Sequence, residues 1–265
     1  MLEFSIMEKF YSYPKVNLFL KIVGTDGNYH LLFSRFLRVK TLHDTLYFVE
    51  KKSEGFYIET NLQIDLESNT IYRTYLSLLN YLQPHHKKRV EEFFKFHTLK
   101  LEKRIPTMAG LGGGSSNSAT FLNMVDGVLG LNLDIHEKLE IVKNIGSDIP
   151  FFLYDIDSAN VSGKGEIIEK FDEVVPEIEV FTPPVQCSTS EVYRVFRKKF
   201  FKLTPIEELE KWREIPSLEI FKSLNIESAN DLYRPAKYLC PELKKFQKEE
   251  YLFSGSGSSF FKFKE

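Results

Sequence analysis

Between Pro106 and Asn117 the chain reads Pro106-Thr107-Met108-Ala109-Gly110-Leu111-Gly112-Gly113-Gly114-Ser115-Ser116-Asn117. Four glycines fall within five positions, and a backbone without Cβ atoms can approach a bulky anion closely. The apolar residues that follow, Phe121, Leu122, Val125, Val128 and Leu129, recur at helical spacing, so a helix is expected to open near Ser115. The first turn of a helix leaves N–H groups unpaired and carries the positive end of the helix dipole. The run is therefore a candidate cradle for phosphate, with the hydroxyls of Ser115 and Ser116 at its end. The plain alternative is a flexible Gly/Ser linker. No Lys follows the glycines as in a Walker loop, and no parallel βαβ unit surrounds them as in a dinucleotide fold.

Three further places carry chemistry. Phe253-Ser-Gly255-Ser-Gly257-Ser-Ser-Phe260 sets a second small-residue tract between strand-like segments. Alone it reads as a hairpin turn, but beside a phosphate cradle it offers a second close backbone approach, from Gly255 and Gly257. Asp148 lies in Gly146-Ser-Asp-Ile-Pro150, between a helix stop and a proline that favours extended backbone before it. It can cap a turn or act as a base. Lys15 and Asn17, two apart on a strand, point the same way; a solvated surface lysine is the bland alternative.

These residues need elements to hold them. The first 60 positions are rich in aromatic and β-branched residues, with turn signals at 24–28 and 53–55, and predict successive antiparallel strands. Along 13–22, Val16, Leu18, Leu20 and Ile22 share one face and Lys15, Asn17, Phe19 and Lys21 the other; Pro14 marks the strand's start or an exposed edge. Helices are expected over 69–82 and 87–96, a strand over 98–103 leading into the glycine run, and a helix over about 136–145 that stops at Gly146. Beyond about 155 the pattern gives short strands over 158–181, helices near 189–212 and 228–249, and two last strands flanking 254–259. An α+β fold of two lobes with mixed and antiparallel sheets follows, divided into 1–155 and 156–265.

The chain of 265 residues can bury a core without staples, and 43% hydrophobic with 27% charged residues excludes a disordered or low-complexity protein. Thirty-five basic against 37 acidic residues leave a net charge of −2, which gives no footprint for nucleic acid or an anionic membrane. Any bound anion must be met locally. Cys187 and Cys240, 53 residues apart, form no metal or redox motif and read as free buried thiols; the histidines show no metal-ligand spacing. The N-terminus carries Glu3, Glu8 and Lys9, and no 18-residue uncharged run occurs, so a cytoplasmic protein is expected.

Taken in order, Pro14 to Leu20, Pro106 to Ser116 and Ser254 to Ser259 resemble the three motifs of the GHMP kinases, a superfamily of small-molecule kinases. Within it, Pro14-Lys-Val-Asn-Leu-Phe-Leu20 is similar to the P-A-K-I-N-L-F-L pattern of the branch acting on 4-diphosphocytidyl-2-C-methyl-D-erythritol, with one small residue missing after the proline. Tyr29-His30 with Leu32, Asp44-Thr-Leu46, Gly146 to Phe152, Gly163-Lys-Gly-Glu166 and Asn230-Asp-Leu232 extend the likeness over almost the whole chain. Asp26-Gly-Asn-Tyr-His30 departs from the branch's D-G-Y-H: either Asn28 is inserted or the turn has shifted.

The resemblance implies ATP and Mg2+ as cofactors, a GHMP-kinase-like fold with its active site in the cleft between lobes, and the cytidyl-linked methylerythritol as partner. From histidine spacing and net charge, no dedicated protein metal site and no nucleic-acid or membrane partner are expected, and the protein is expected to be a monomer or weak homodimer. Asp148 would be the base, Lys15 would neutralise charge on the reacting oxygen, and Asn17 would orient either one. Residues 106–116 would hold the phosphates. Tyr29 and His30 would meet the cytidyl end, and Tyr193, four residues after Thr189, would stack on cytosine or simply fill the core. Asn69 would meet the adenine or cap the helix that follows it. Another GHMP-type kinase, for mevalonate, homoserine or a sugar, and a non-catalytic nucleotide or nucleic-acid binder are the rival readings.

Overall fold

The computed structural model describes residues 8–62 and 65–264. In chain order the strands are β1 (Phe10–Ser12), β2 (Lys15–Asp26), β3 (Tyr29–Arg38), β4 (Asp44–Glu50), β5 (Ile58–Thr60), β6 (His97–Glu102), β7 (Ser158–Ser162), β8 (Ile167–Lys170), β9 (Ile178–Phe181), β10 (Leu252–Phe253) and β11 (Phe260–Phe263). The helices are α1 (Thr70–Tyr81), α2 (Pro84–Phe96), α3 (Gly113–Leu129), α4 (Ile135–Val142), α5 (Ile149–Leu153), α6 (Thr189–Val195), α7 (Ile206–Leu209), α8 (Ser217–Ser223), α9 (Ile226–Ala229) and α10 (Tyr233–Leu239). The fold is α+β, as the patterning predicts. None of the helices among the described residues is long and apolar enough to cross a membrane.

The chain forms two compact units. The first takes the residues up to Tyr13, Leu42–Ile105 and Gly113–Asp155; the second takes Pro14–Thr41, Pro106–Gly112 and the residues from Ile156 onward. The sequence division at 155 falls on one of these boundaries, and the glycine run is shared, 106–112 with one unit and 113–116 with the other.

In the first unit a sheet of order β1-β4-β6-β5 is antiparallel except for the β5–β6 pair, and α1 to α5 complete the unit. Its core is aromatic: Phe56 stacks on Tyr75 at 4.3 Å and meets Phe94 and Phe121 edge-on. Local signals fix the helices. The Asn69 side chain accepts from the Ile71 N–H at the start of α1, Pro84 opens α2 where no N–H is needed, and Asp134 with Glu137 forms a capping box on α4. The helix expected to open near Ser115 opens at Gly113, two residues earlier.

The second unit contains two sheets, β2-β3-β7-β8 and β10-β11-β9, each antiparallel throughout. The β2–β3 hairpin turns on Gly27-Asn28, with Asp26 opposite Tyr29 and Gly27 at φ 56°. Asn28 thus completes a two-residue turn of the Gly-Asn kind, which matches the twist of the flanking strands. The alternation along β2 is only half of its story, because the face carrying Lys15, Asn17 and Phe19 is buried as well, at 3%, 2% and 0% exposure. The segments 106–112 and 254–259 lie over Lys15 and Asn17, and Trp212 over Phe19. Lys15 is therefore not a solvated surface lysine. The strand beginning at Lys15 confirms Pro14 as a start signal, while α8 and α9, of seven and four residues, lie largely in a stretch where the sequence pattern gave no helix. Cys187 and Cys240 are free thiols, the first buried and the second half-buried.

Candidate active site

The second unit gathers the first and third motifs around one carbonyl. Lys15 N–H donates to the Leu111 carbonyl at 3.0 Å, tying the start of β2 to the glycine segment. The Lys15 ammonium donates to Asn17 Oδ1 at 2.6 Å and to the Gly110 carbonyl at 3.2 Å, and it stands 4.6 Å from the centre of the Phe36 ring. Ser254 Oγ donates to the same Gly110 carbonyl at 3.0 Å and accepts from Asn17 N–H. Met108, Gly110 and Gly112 all take left-handed backbone, at φ 54°, 73° and 66°. At Gly110 a Cβ would stand 2.1 Å from the Ser254 carbonyl oxygen, so only glycine fits.

The C-terminal tract is buried from Ser254 to Ser259. Its small residues answer to protein neighbours. A Cβ on Gly255 would meet the Gly110 carbonyl at 3.0 Å, and one on Gly257 would run into the Phe253 ring at 2.2 Å. Asn230, in the Asn-Asp-Leu match, donates its amide to the carbonyls of Phe253 and Gly255, 2.9 Å each, and holds the loop in place. Thr189 at the start of α6 meets Ser256 Oγ at 2.8 Å.

Also in this unit, His30 and Tyr193 stack with centroids 5.2 Å apart and 27° between planes, and Phe196 meets His30 edge-on. His30 Nε2 is buried with no hydrogen-bond partner, an orphan a base edge could satisfy. Burial, and then the nearby Arg197 cation, pulls the imidazole below its ordinary pKa, so the neutral ring is favoured. Tyr29 next to it is 62% exposed, with the Lys164 ammonium 4.5 Å from its ring centre.

The first unit gathers the rest. The start of α3, the start of α1 and the Gly146-Ser-Asp148 turn meet there. Thr70 Oγ1 donates to the Gly114 carbonyl at 2.9 Å, which sets Asn69 beside the glycine run, and a Cβ on Gly146 would lie 3.4 Å from Ser115 Oγ. Asn69 serves as a helix cap, its Oδ1 taken by Ile71. Asp148 precedes α5 without a side-chain capping bond to it. Ser116 departs from the expectation of a hydroxyl facing phosphate: it is buried, donates to the Tyr13 carbonyl at 2.6 Å and accepts from Ser12. Ser115 is the half-buried hydroxyl of the pair.

Sequence reasoning passed over the support beneath these groups. Asp44, fully buried, accepts from the N–H groups of Arg104 and Ile105 and pairs with Lys103, fixing the approach to the glycine run. Burial pulls the Lys103 ammonium below its ordinary pKa, and Asp44 opposes the shift. The Asp-Thr-Leu step was a visible signal for Asp44. Ser34 and Arg35 gave none: Arg35, with 0% exposure, binds Asn160, Ser217 and the carbonyls of Trp212 and Arg213.

Comparison with known proteins follows the same motifs. Residues 69–155 match the GHMP kinases N terminal domain. Across 98% of both chains, this one is 46% identical to the 4-diphosphocytidyl-2-C-methyl-D-erythritol kinase of Sulfurimonas denitrificans. It is 39% identical to the enzyme of the same name from a Sulfurovum species, over 96% of this chain and 98% of the relative. A crystal structure of 4-(cytidine 5'-diphospho)-2C-methyl-D-erythritol kinase superposes with a TM-score of 0.72 at 28% identity, covering 97% of this chain and 90% of that one. With its glycine run, its buried Lys-Asn strand and this likeness from end to end, the chain belongs to the 4-diphosphocytidyl-2-C-methyl-D-erythritol kinase family of the GHMP kinases.

Proposed function

We propose that the protein transfers the γ-phosphoryl group of ATP to the 2-hydroxyl of 4-diphosphocytidyl-2-C-methyl-D-erythritol, a step of the non-mevalonate route to isoprenoid precursors. The observation that carries this reading is the near-full-length likeness to kinases named for that alcohol. Phosphoryl transfer demands alignment and charge stabilisation more than covalent help from the protein. The Asp148 carboxylate takes the hydroxyl proton as the oxygen bonds to the γ-phosphorus and the bond to the ADP oxygen breaks. The Lys15 ammonium, held by Asn17 Oδ1 and the Gly110 carbonyl, offsets negative charge on the reacting oxygens.

The first-turn amides of α3 receive the triphosphate, with the Ser115 hydroxyl beside them. Mg2+, a hard cation that keeps water and phosphate oxygens as most of its ligands, would meet the half-buried Ser115 hydroxyl as its protein oxygen. When bound, Mg2+ neutralises charge on the triphosphate. Asn69 borders the adenine end. Tyr29, the orphaned His30 Nε2 and the Tyr193 ring take the cytidyl end, with Thr189, Gly255 and Gly257 along the substrate. The enzyme acts in the cytoplasm as a monomer or weak homodimer and needs no nucleic acid.

An ADP-release assay over the cytidyl alcohol, mevalonate, homoserine and galactose tests the assignment. Turnover is expected on the cytidyl compound alone. Turnover on mevalonate without the cytidyl compound overturns it.

A further inference from the structure

A carboxamide between two polar neighbours can face either way round, and only the network about it decides which. Around Asn17 the network has a direction. Ser34 Oγ lies within hydrogen-bond reach of the Phe19 carbonyl, beside the β-bulge between Asn17 and Phe19. A carbonyl oxygen only accepts, so the single hydroxyl hydrogen of Ser34 goes to Phe19. The Ser34 oxygen is then an acceptor toward Asn17 at 2.9 Å, and Asn17 must present its NH2 there. Oδ1 is left on the opposite side, where the Lys15 ammonium donates to it at 2.6 Å.

Reversing the amide would set NH2 against an ammonium, which can only donate, and an oxygen against a serine whose hydrogen is already engaged. Both contacts would fail together. Lys15, Asn17 and Ser34 are 3%, 2% and 0% exposed, so the cost would fall on buried groups.

We propose that Ser34 is a positioning residue for phosphoryl transfer: by accepting from Asn17 Nδ2 while donating to Phe19, it fixes the amide so that Oδ1 holds the Lys15 ammonium in place. The inference rests on the role given to Lys15 above. Ser34 touches neither substrate in this scheme and acts only through Asn17. Losing it removes one of the acceptors that aim Lys15, the Gly110 carbonyl being another.

The test is steady-state kinetics on Ser34→Ala, Ser34→Thr, Asn17→Ala, the Ser34→Ala/Asn17→Ala double variant and Lys15→Met, each checked for folding by circular dichroism. Ser34→Ala is expected to lower kcat by about 10- to 100-fold, the scale of a small misplacement of a reacting group, with KM for ATP within about twofold. Ser34→Thr restores the hydroxyl and is expected to recover kcat to within about threefold, since threonine also suits a strand. In the Asn17→Ala background, Ser34→Ala is expected to cost less than about twofold more, the signature of two residues on one path.

Unchanged kcat in Ser34→Ala, or its full loss repeated on top of Asn17→Ala, overturns the proposal. If Lys15→Met is crippled while Ser34→Ala is not, the relay alone falls. If Lys15→Met keeps its kcat, the role of Lys15 falls and the relay with it. Should Ser34→Ala fail to fold, Ser34→Cys, with a weak donor and acceptor of similar shape, carries the same comparison and the same expected loss.

Discussion

Asp148 does not cap the helix that follows it. Its place between a helix stop and a proline fits a cap, yet the aspartate makes no side-chain capping bond to α5, whereas Asn69, in a similar position, spends its Oδ1 on Ile71. Asp148→Asn keeps shape and removes the basicity. It is expected to leave the circular dichroism spectrum and ATP affinity unchanged while lowering kcat by about 10²- to 10⁴-fold, the usual value of a positioned base. Wild-type turnover in that variant would remove Asp148 from the mechanism. Lys15 was harder to read. A lysine on the polar face of a strand looks solvated until the segments that cover it are known, and those lie about 95 and 240 residues away along the chain. Ser34 was harder still, since its meaning lies wholly in which atom accepts and which donates.

Elements explain why four glycines in five positions do not share one cause. Gly110 must lack a Cβ because the Ser254 carbonyl is there, and Gly113 because Ile105 Cγ2 would stand 2.8 Å away. The sequence reading of free approach to phosphate is thus only part of the reason for the run. Gly114 is the contrasting case, exposed on the first turn of α3, with Thr70 Oγ1 as its nearest neighbour at 3.2 Å. Gly110→Ala is expected to cost about 2 to 5 kcal/mol of stability, from left-handed backbone and overpacking together. Gly114→Ala gains helix propensity of about 1 kcal/mol and should melt no lower than the parent, provided the Thr70 hydroxyl gives way. Its KM for ATP is expected to rise by about tenfold, equivalent to about 1.4 kcal/mol of binding. Thermal melts and ATP titrations of the pair separate packing from ligand approach, and equal ATP affinity in Gly114→Ala would count against the cradle. The long elements were legible for local reasons: α1, α2, β6 and α4 each carry a periodic stripe and a start or stop signal. The short helices α8 and α9 lack the length for a period to declare itself, and β2 concealed its second buried face because burial there comes from distant chain.

For the whole molecule, length indicated a core that needs no staples, and two compact units exist whose boundaries interleave along the chain. Pattern reading follows neighbours in sequence, so the exchange of 14–41 and 106–112 into the second unit left no local signal. Each unit carries a buried phenol that reports on it. Tyr75 in the first and Tyr233 in the second are pushed up to about 12, in both cases chiefly by burial. An unfolded tyrosine titrates near 10, so between about pH 10 and 12 the unfolded chain has released a proton that the native state still holds. Stability is then complete below about pH 10 and falls as pH rises through the native value, by up to about 2 kcal/mol for each phenol. Lys103 works in the opposite sense, because its lowered pKa lets the native state release a proton before the unfolded one does, and it moderates the fall below about pH 10.5. Urea melts at about pH 9 and about pH 11.5 are expected to show this loss in the parent protein. Tyr75→Phe and Tyr233→Phe should each lose less stability than the parent between those two conditions. If both variants track the parent across that interval, these phenols are not what burial makes them.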